Sequence, residues 1–290
     1  GRLDAAIASF QQAVTLNPSN VAAQNNLANA YLAQGRSDEA RASYETALKH
    51  HPTSPELWNN LGNLLKEDKE HEAAVHCFER ALDCAPRFGA AQANLLEEYM
   101  RLCAWDQASV LSIEVDNQTA TELYHGQRPS EQPFLSIART PDGRINLHVA
   151  RSWSAFLKDE TSLRASPYEH SDRGSVAKLR IGYLSADFRD HPVAHVFRTF
   201  LRAHNRERFD VVLYSYGGND GSDYAQECME LADNFVDLSN ASITEAAKRI
   251  HEDGIHVLVD LMGHTKANRL AILSLQPAPI QACYLGYAST

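Results

Sequence analysis

The chain has 290 residues, 44% apolar and 22% charged, an ordinary globular mix with room for about two domains. Its formal net charge of −10 argues against nucleic acid or an anionic membrane as main partner, because both select basic surfaces. No apolar run reaches the roughly 18 residues of a membrane span. Gly1-Arg2-Leu3-Asp4 lacks the basic start and apolar core of a signal peptide, and Cys77, Cys84, Cys103, Cys228 and Cys283 form no C-x-x-C pair. The expectation is a reducing cytoplasm, with neither a disulfide framework nor a metal site.

The first element in chain order is a repeat. Leu27, Ala28, Tyr31, Ala40, Tyr44, Ala47 and Pro52 return 34 residues later as Leu61, Gly62, Leu65, Ala74, Phe78, Ala81 and Pro86. Ala6, Phe10, Ala13 and Pro18 precede them at the same interval, and Trp58 holds the pattern's tryptophan position. This is the period and pattern of tetratricopeptide (TPR) repeats. Small residues stand where helices cross, aromatic rings fill the gap between hairpins, and each proline ends a second helix. Half a unit, two whole units (Val21–Ser54 and Pro55–Phe88) and a weaker one from Gly89 follow in phase, until phase is lost beyond Ser112. Residues 1–111 are therefore expected to form a solenoid of antiparallel helix pairs with turns near Gly35 and Lys69.

Residues 112–177 are expected to be helices bridging to the next domain. Pro133–Ile137 reads as a short buried stretch, and Leu147, Val149, Ala150, Trp153 and Phe156 have helical spacing. A Ser, Pro, Asp and Gly-rich linker occupies 162–175.

At Lys178 the pattern changes to strands at Leu179–Leu184, Asp210–Tyr216, Val257–Met262 and Gln281–Tyr287, with a weaker one at Asn234–Leu238. Helical stretches near 193–204, 223–232, 243–253 and 267–274 alternate with them, so 178–290 is expected to be a Rossmann-like parallel α/β lobe. Ligands in such sheets sit beyond the carboxyl ends of the strands. Three loops lie there: Ser185–His195, Gly217–Asp223 and Gly263–Arg269. His191 and His264 fall in two of them and are acid–base candidates, since imidazole titrates near neutrality. The glycine-rich GGNDGSD loop has no following GK[ST], so it is a turn into a helix capped by Ser222 rather than a P-loop. His195 is expected to cap or pack, His251 and His256 to be structural, and Lys266 and Arg269 to be solvated.

LRIGYLSADFRDHPVAH, DGIHVLVDLMGHTKANR and PAPIQACYLGYAST together resemble the amino-terminal catalytic lobe of the protein O-GlcNAc transferases, bacterial members and the SPINDLY branch included. The order of TPR array, bridging helices and lobe matches as well. The resemblance implies a two-lobed, inverting, metal-independent transferase with no cofactor, a UDP-GlcNAc donor and protein Ser or Thr acceptors held by the TPR groove. It implies His191 as catalytic base and His264, Thr265, Gly286, Tyr287 and Thr290 as substrate-binding. In that family an asparagine ladder grips extended peptide, which makes Asn26 and Asn60 the groove candidates; an amide offers both donor and acceptor. Ala288 and Ser289 depart from the family's G-Y-P-G-T loop. The diphosphate-binding lysine and uridine pocket belong to the second lobe, so this chain alone is expected to be incomplete for catalysis. Two alternatives stay open: a SPINDLY-like transferase of fucose or another sugar, and a non-catalytic TPR module that binds proteins.

Overall fold

The structure is a computed structural model and describes residues 2–171 and 176–286. The chain divides into two compact units between Glu131 and Gln132.

The first unit is helical throughout. α1 (Arg2–Leu16) is followed by the pairs α2 (Val21–Ala33) and α3 (Ser37–His50), α4 (Pro55–Glu67) and α5 (His71–Cys84), and α6 (Gly89–Arg101) and α7 (Trp105–Tyr124). The expected repeat is what is observed. Ala40, Ala47, Ala74 and Ala81 are wholly buried at the crossings, and Tyr44 and Phe78 fill the gaps. A Cβ on Gly62 would stand 2.6 Å from the Phe78 ring, so that crossing has no room for a side chain. The 34-residue period extends to polar contacts. Gln24, Trp58 and Gln92, one per repeat, donate to the carbonyls of Pro18, Pro52 and Pro86 at 2.6, 2.8 and 3.0 Å. Each closes the turn that its proline opens. The expected boundary at 111/112 falls inside α7, which continues to Tyr124 after the repeat phase ends.

The turns within the pairs also repeat. Gly35, Lys69 and Cys103 have φ of 74°, 65° and 57°, the left-handed geometry that ends a helix. An L-residue there carries a strain of about 1–2 kcal/mol that glycine avoids. Lys69→Gly is therefore expected to stabilise the protein by roughly 0.5–1 kcal/mol after glycine's greater loss of chain entropy. The urea midpoint checks this; a drop in stability would show that the Lys69 side chain holds the turn.

The second unit begins with α8 (Pro133–Arg139) and α9 (Gly143–Ser162). Then β1 (Leu179–Ser185), α10 (Pro192–Arg202), β2 (Phe209–Ser215), α11 (Asp223–Leu231), β3 (Asn234–Asp237), α12 (Ile243–Glu252), β4 (Val257–Asp260), α13 (Ala271–Ser274) and β5 (Ile280–Cys283) alternate. All pairings are parallel, in the order β3-β2-β1-β4-β5. Leu184, Tyr214, Leu258, Ala246 and Ile250 form the core on one face, and Tyr183, Leu213, Phe197 and Cys228 that on the other. β4 stops at Asp260, two residues short of the expected strand, where its carboxylate turns the chain. β5 likewise ends at Cys283 rather than Tyr287, and α13 spans only the end of the expected 267–274 helix.

From β1 the chain steps outward to β2 and β3, then returns to β1's other side for β4. The winding reverses between β1 and β4, and a crevice opens at their carboxyl ends. Among the described residues no helix is long and apolar enough to cross a membrane. No group of three or more His, Cys, Asp or Glu side chains among them is placed to hold a metal ion.

Candidate active site

A cleft of about 970 Å³ occupies this crevice. Asp187, Arg189 and His191 come from the loop after β1, Leu261, Met262, Thr265 and Lys266 from the loop after β4, and Gly286 from the chain beyond β5. Phe134 and Ile137 of α8 add an apolar wall.

His191 is the residue that precedes α10, with Pro192 opening the helix behind it. Proline suits that first helical position because its missing N–H would have had no partner. The His191 Nδ1 accepts from the Val193 N–H at 3.3 Å and lies 3.4 Å from Asp187 Oδ2. These two neighbours ask for different tautomers. If Nδ1 accepts from Val193, the proton is on Nε2. If Nδ1–H faces Asp187, the lone pair is on Nε2, the form that can take a proton from a hydroxyl. The His191 ring is 37% exposed, whereas Asp187 is nearly buried and also pairs with Arg189 at 3.5 Å. Asp187 is thus a fixed orienting group behind an accessible imidazole.

The loops around it are pinned. The Asp190 N–H donates to Asp220 Oδ2 at 2.8 Å, which ties the β1 loop to the GGNDGSD loop. Ser222 caps α11 by accepting the Ala225 N–H at 3.2 Å. His195 pairs with Asp190 at 2.7 Å and packs on the Tyr224 ring, so it braces the loop. Arg269 is not solvated as expected. Its guanidinium donates to the carbonyls of Leu238, Ser239 and Ala241 and covers the Tyr216 ring, fixing the loop after β3. His251 stacks on Tyr168, and His256 Nδ1 accepts the Arg180 N–H.

Of the expected substrate-binding residues, Thr265 and Gly286 line the cleft with His191. A Cβ on Gly286 would come within 2.5 Å of the Leu261 and Met262 backbone, so only glycine permits this approach of the two strand exits. His264 differs from the expectation that it opens onto the same cleft: it is not among the lining residues. Its side chain is 7% exposed, its Nε2 lies 3.2 Å from Ser154 Oγ on α9, and burial pushes its pKa down. The left-handed turn at Gly263 (φ 55°) precedes this inward direction. Tyr287 and Thr290 lie outside the described residues.

Sequence reasoning missed four groups here. Asp187 stands four residues before His191 within the quoted motif, and that helical-turn spacing was a usable signal. Asp260 could have been noticed as an acid ending an apolar strand. Ser154 and the Phe134–Ile137 wall carry no local signal, because only the fold brings α8 and α9 to the crevice.

In the helical unit, a second cleft of about 400 Å³ is lined by Asn29, Tyr44, Asn60, Asn63 and Glu67, among others. Asn60 Nδ2 donates to Asn25 Oδ1 at 2.8 Å, and one repeat later Asn94 Nδ2 donates to Asn59 Oδ1 at 3.0 Å. Amides thus link successive repeats. Asn60 lies in this series; Asn26 is exposed and outside the cleft lining.

Comparison with known proteins agrees with this architecture. Residues 103–290 match the model of glycosyl transferase family 41, and residues 1–64 and 55–88 match tetratricopeptide repeat models. A probable UDP-N-acetylglucosamine–peptide N-acetylglucosaminyltransferase SEC of Arabidopsis thaliana is 34% identical over 203 residues, covering 68% of this chain and 21% of that protein. A UDP-N-acetylglucosamine–peptide N-acetylglucosaminyltransferase of Caenorhabditis elegans is 33% identical, covering 65% and 17%. The chain thus spans about a fifth of the length of these relatives. The solved Thermobaculum terrenum O-GlcNAc transferase mutant K341M superposes with a TM-score of 0.52 at 22% identity, over 98% of this chain and 47% of that one, a likeness of fold.

Proposed function

The chain belongs to glycosyl transferase family 41, and on that premise we propose that it carries the acceptor-activating part of a protein O-GlcNAc transferase. The reaction moves N-acetylglucosamine from UDP-GlcNAc to a Ser or Thr hydroxyl with inversion and without a metal. The observation that carries this reading is the His191–Asp187 pair in the crevice where the winding of the sheet reverses. Asp187 keeps the proton on Nδ1, and Nε2 takes the proton of the acceptor hydroxyl as its oxygen attacks the anomeric carbon. The bond from that carbon to the diphosphate breaks, and the electron pair leaves with UDP. Thr265 and Gly286 form the facing wall, and Tyr287 and Thr290 are proposed to continue it. His264 supports that wall through Ser154. The diphosphate is proposed to be held by the remainder of the enzyme.

The asparagine-lined groove is the proposed seat of the acceptor polypeptide. Asn60 and Asn94 each use their N–H on the preceding repeat, which leaves Asn60 Oδ1 to accept a backbone N–H of an extended peptide. Replacing both by Ala is expected to raise KM for a peptide acceptor about five- to tenfold with kcat unchanged, the loss of one or two hydrogen bonds. The cysteines are free thiols, which fits a reducing compartment such as the cytoplasm.

The deciding experiment is a transfer assay with the full-length protein, a Ser/Thr peptide and radiolabelled donors. Transfer from UDP-GlcNAc is expected. Transfer only from GDP-fucose would move the protein to the SPINDLY-like alternative, and peptide binding without transfer from any donor would make it a binding module.

A further inference from the structure

The least accommodated charge in the second unit is Asp260. It ends β4 with no exposed surface, on the sheet face that carries Leu184, Tyr214 and Leu258. Its Oδ2 accepts the Gly263 N–H at 2.5 Å, with a further backbone hydrogen bond from Met262. Its Oδ1 is buried with no partner. Few groups face it. Cys283 Sγ on β5 lies 4.0 Å away. Tyr216, just past β2, adds a buried hydroxyl that also lacks a partner. Arg269 covers the far side of the Tyr216 ring and directs its N–H groups to carbonyls, so Asp260 has no paired cation.

Such a carboxylate costs stability where it sits, so its retention calls for a compensating task. The task is visible in the turn. Asp260 accepts from the two residues that redirect the chain, and Gly263 takes the left-handed conformation above it. Thr265 then closes the turn by donating its N–H and hydroxyl to the Met262 carbonyl, at 3.3 and 2.9 Å. The outcome is Thr265 at the cleft and His264 against Ser154.

We propose that Asp260 is a positioning residue, a buried clasp that fixes the Leu261–Thr265 turn and so sets where Thr265 stands beside His191. This rests on the transferase reading of the cleft and deepens it. Burial pushes the Asp260 carboxyl up to about 6. The unpartnered Oδ1 is the natural seat for the proton, since Oδ2 can keep its bond to Gly263 in either state. The sign follows. With its pKa raised above the usual value of 3.8, the neutral form stabilises the fold below that value, and this contribution is lost as pH rises through about 6. Asp260→Asn retains an acceptor and the shape without the charge, whereas Asp260→Ala removes the clasp.

The test is NMR of this ¹⁵N-labelled chain between pH 4 and 8. The Gly263 amide proton is expected to shift with a midpoint near pH 6 in the wild type and to stay flat in Asp260→Asn. Asp260→Asn should keep the His264 and Thr265 resonances close to wild type, while Asp260→Ala displaces them. If Asp260→Ala does not fold, the Asp260→Asn comparison still decides. A Gly263 amide that is flat across that range in the wild type, or resonances of His264 and Thr265 untouched in a folded Asp260→Ala, overturns the proposal. In the full-length enzyme, Asp260→Ala should lower kcat by up to about 10²-fold, as misplaced site groups do, with Asp260→Asn restoring most of it at neutral pH. If His191→Ala leaves transfer intact while the amide titrates as stated, the transferase reading falls and the clasp stands.

Discussion

His191→Ala is expected to lower kcat for transfer to a Ser/Thr peptide about 10²–10⁴-fold, the usual contribution of a positioned general base. KM for the peptide should change little, because the proposed peptide groove lies on the helical unit. Folding should survive. The only structural bond lost is the long 3.3 Å one from the Val193 N–H, and loss of a helix cap costs about 1 kcal/mol. Asp187→Asn separates orientation from mere presence. An amide cannot favour the Nδ1–H tautomer as a carboxylate does, so kcat should fall while the imidazole stays in place. Full-length protein assayed at saturating UDP-GlcNAc gives both numbers. A kcat for His191→Ala near that of the wild type would remove His191 from the reaction and leave the cleft without a base.

The repeat was legible because each of its positions is set by local physics. Proline ends a helix whatever surrounds it, and alanine is required wherever two helix axes approach closely. The 34-residue period then repeats the same demand several times, as Ala40 and Ala74 or Gln24, Trp58 and Gln92 show. The strands were legible for the same reason, as β-branched and aromatic runs between turn residues. Their ends were not, because β4 is stopped by the Asp260 carboxylate capturing the Gly263 N–H, a tertiary event with no signature in Val257–Met262.

The candidate site divides along the same line. His191 and Thr265 could be placed at strand exits, since alternation of strands and helices dictates which loops share an edge. The direction of a side chain within its loop is another matter. His264 is one residue from Thr265 yet turns toward Ser154, a partner 110 positions away in sequence. Arg269 looked solvated because the carbonyls it serves belong to the loop after β3, brought near only by the sheet order. Asn26 and Asn60 occupy equivalent repeat positions, yet only Asn60 has a preceding repeat that offers it Asn25.

Two adjacent glycines give the sharpest structural test of how the cleft is held. Gly217→Ala is expected to destabilise the protein by about 1–3 kcal/mol or more, and Gly218→Ala to fall within about 0.5 kcal/mol of wild type. At Gly217 an added Cβ would overlap the Ala186 carbonyl oxygen and stand 2.8 Å from its carbonyl carbon. Backbone cannot swing aside as a side chain tip does, so the loops after β1 and β2 must separate. Separation strains the Tyr216 N–H bond to the Ser185 carbonyl and the Asp190 N–H bond to Asp220, the two links between those loops. At Gly218 an added Cβ meets nothing within 4 Å. The functional consequence follows the same geometry. Ala186 begins the segment that carries Asp187 and His191, so Gly217→Ala should lower transfer by up to about 10²-fold even where the protein remains folded. Urea midpoints of the two variants and their kcat values in the full-length enzyme decide the matter. Equal stability for both would mean that the loops yield freely and that His191 is held from its own helix alone.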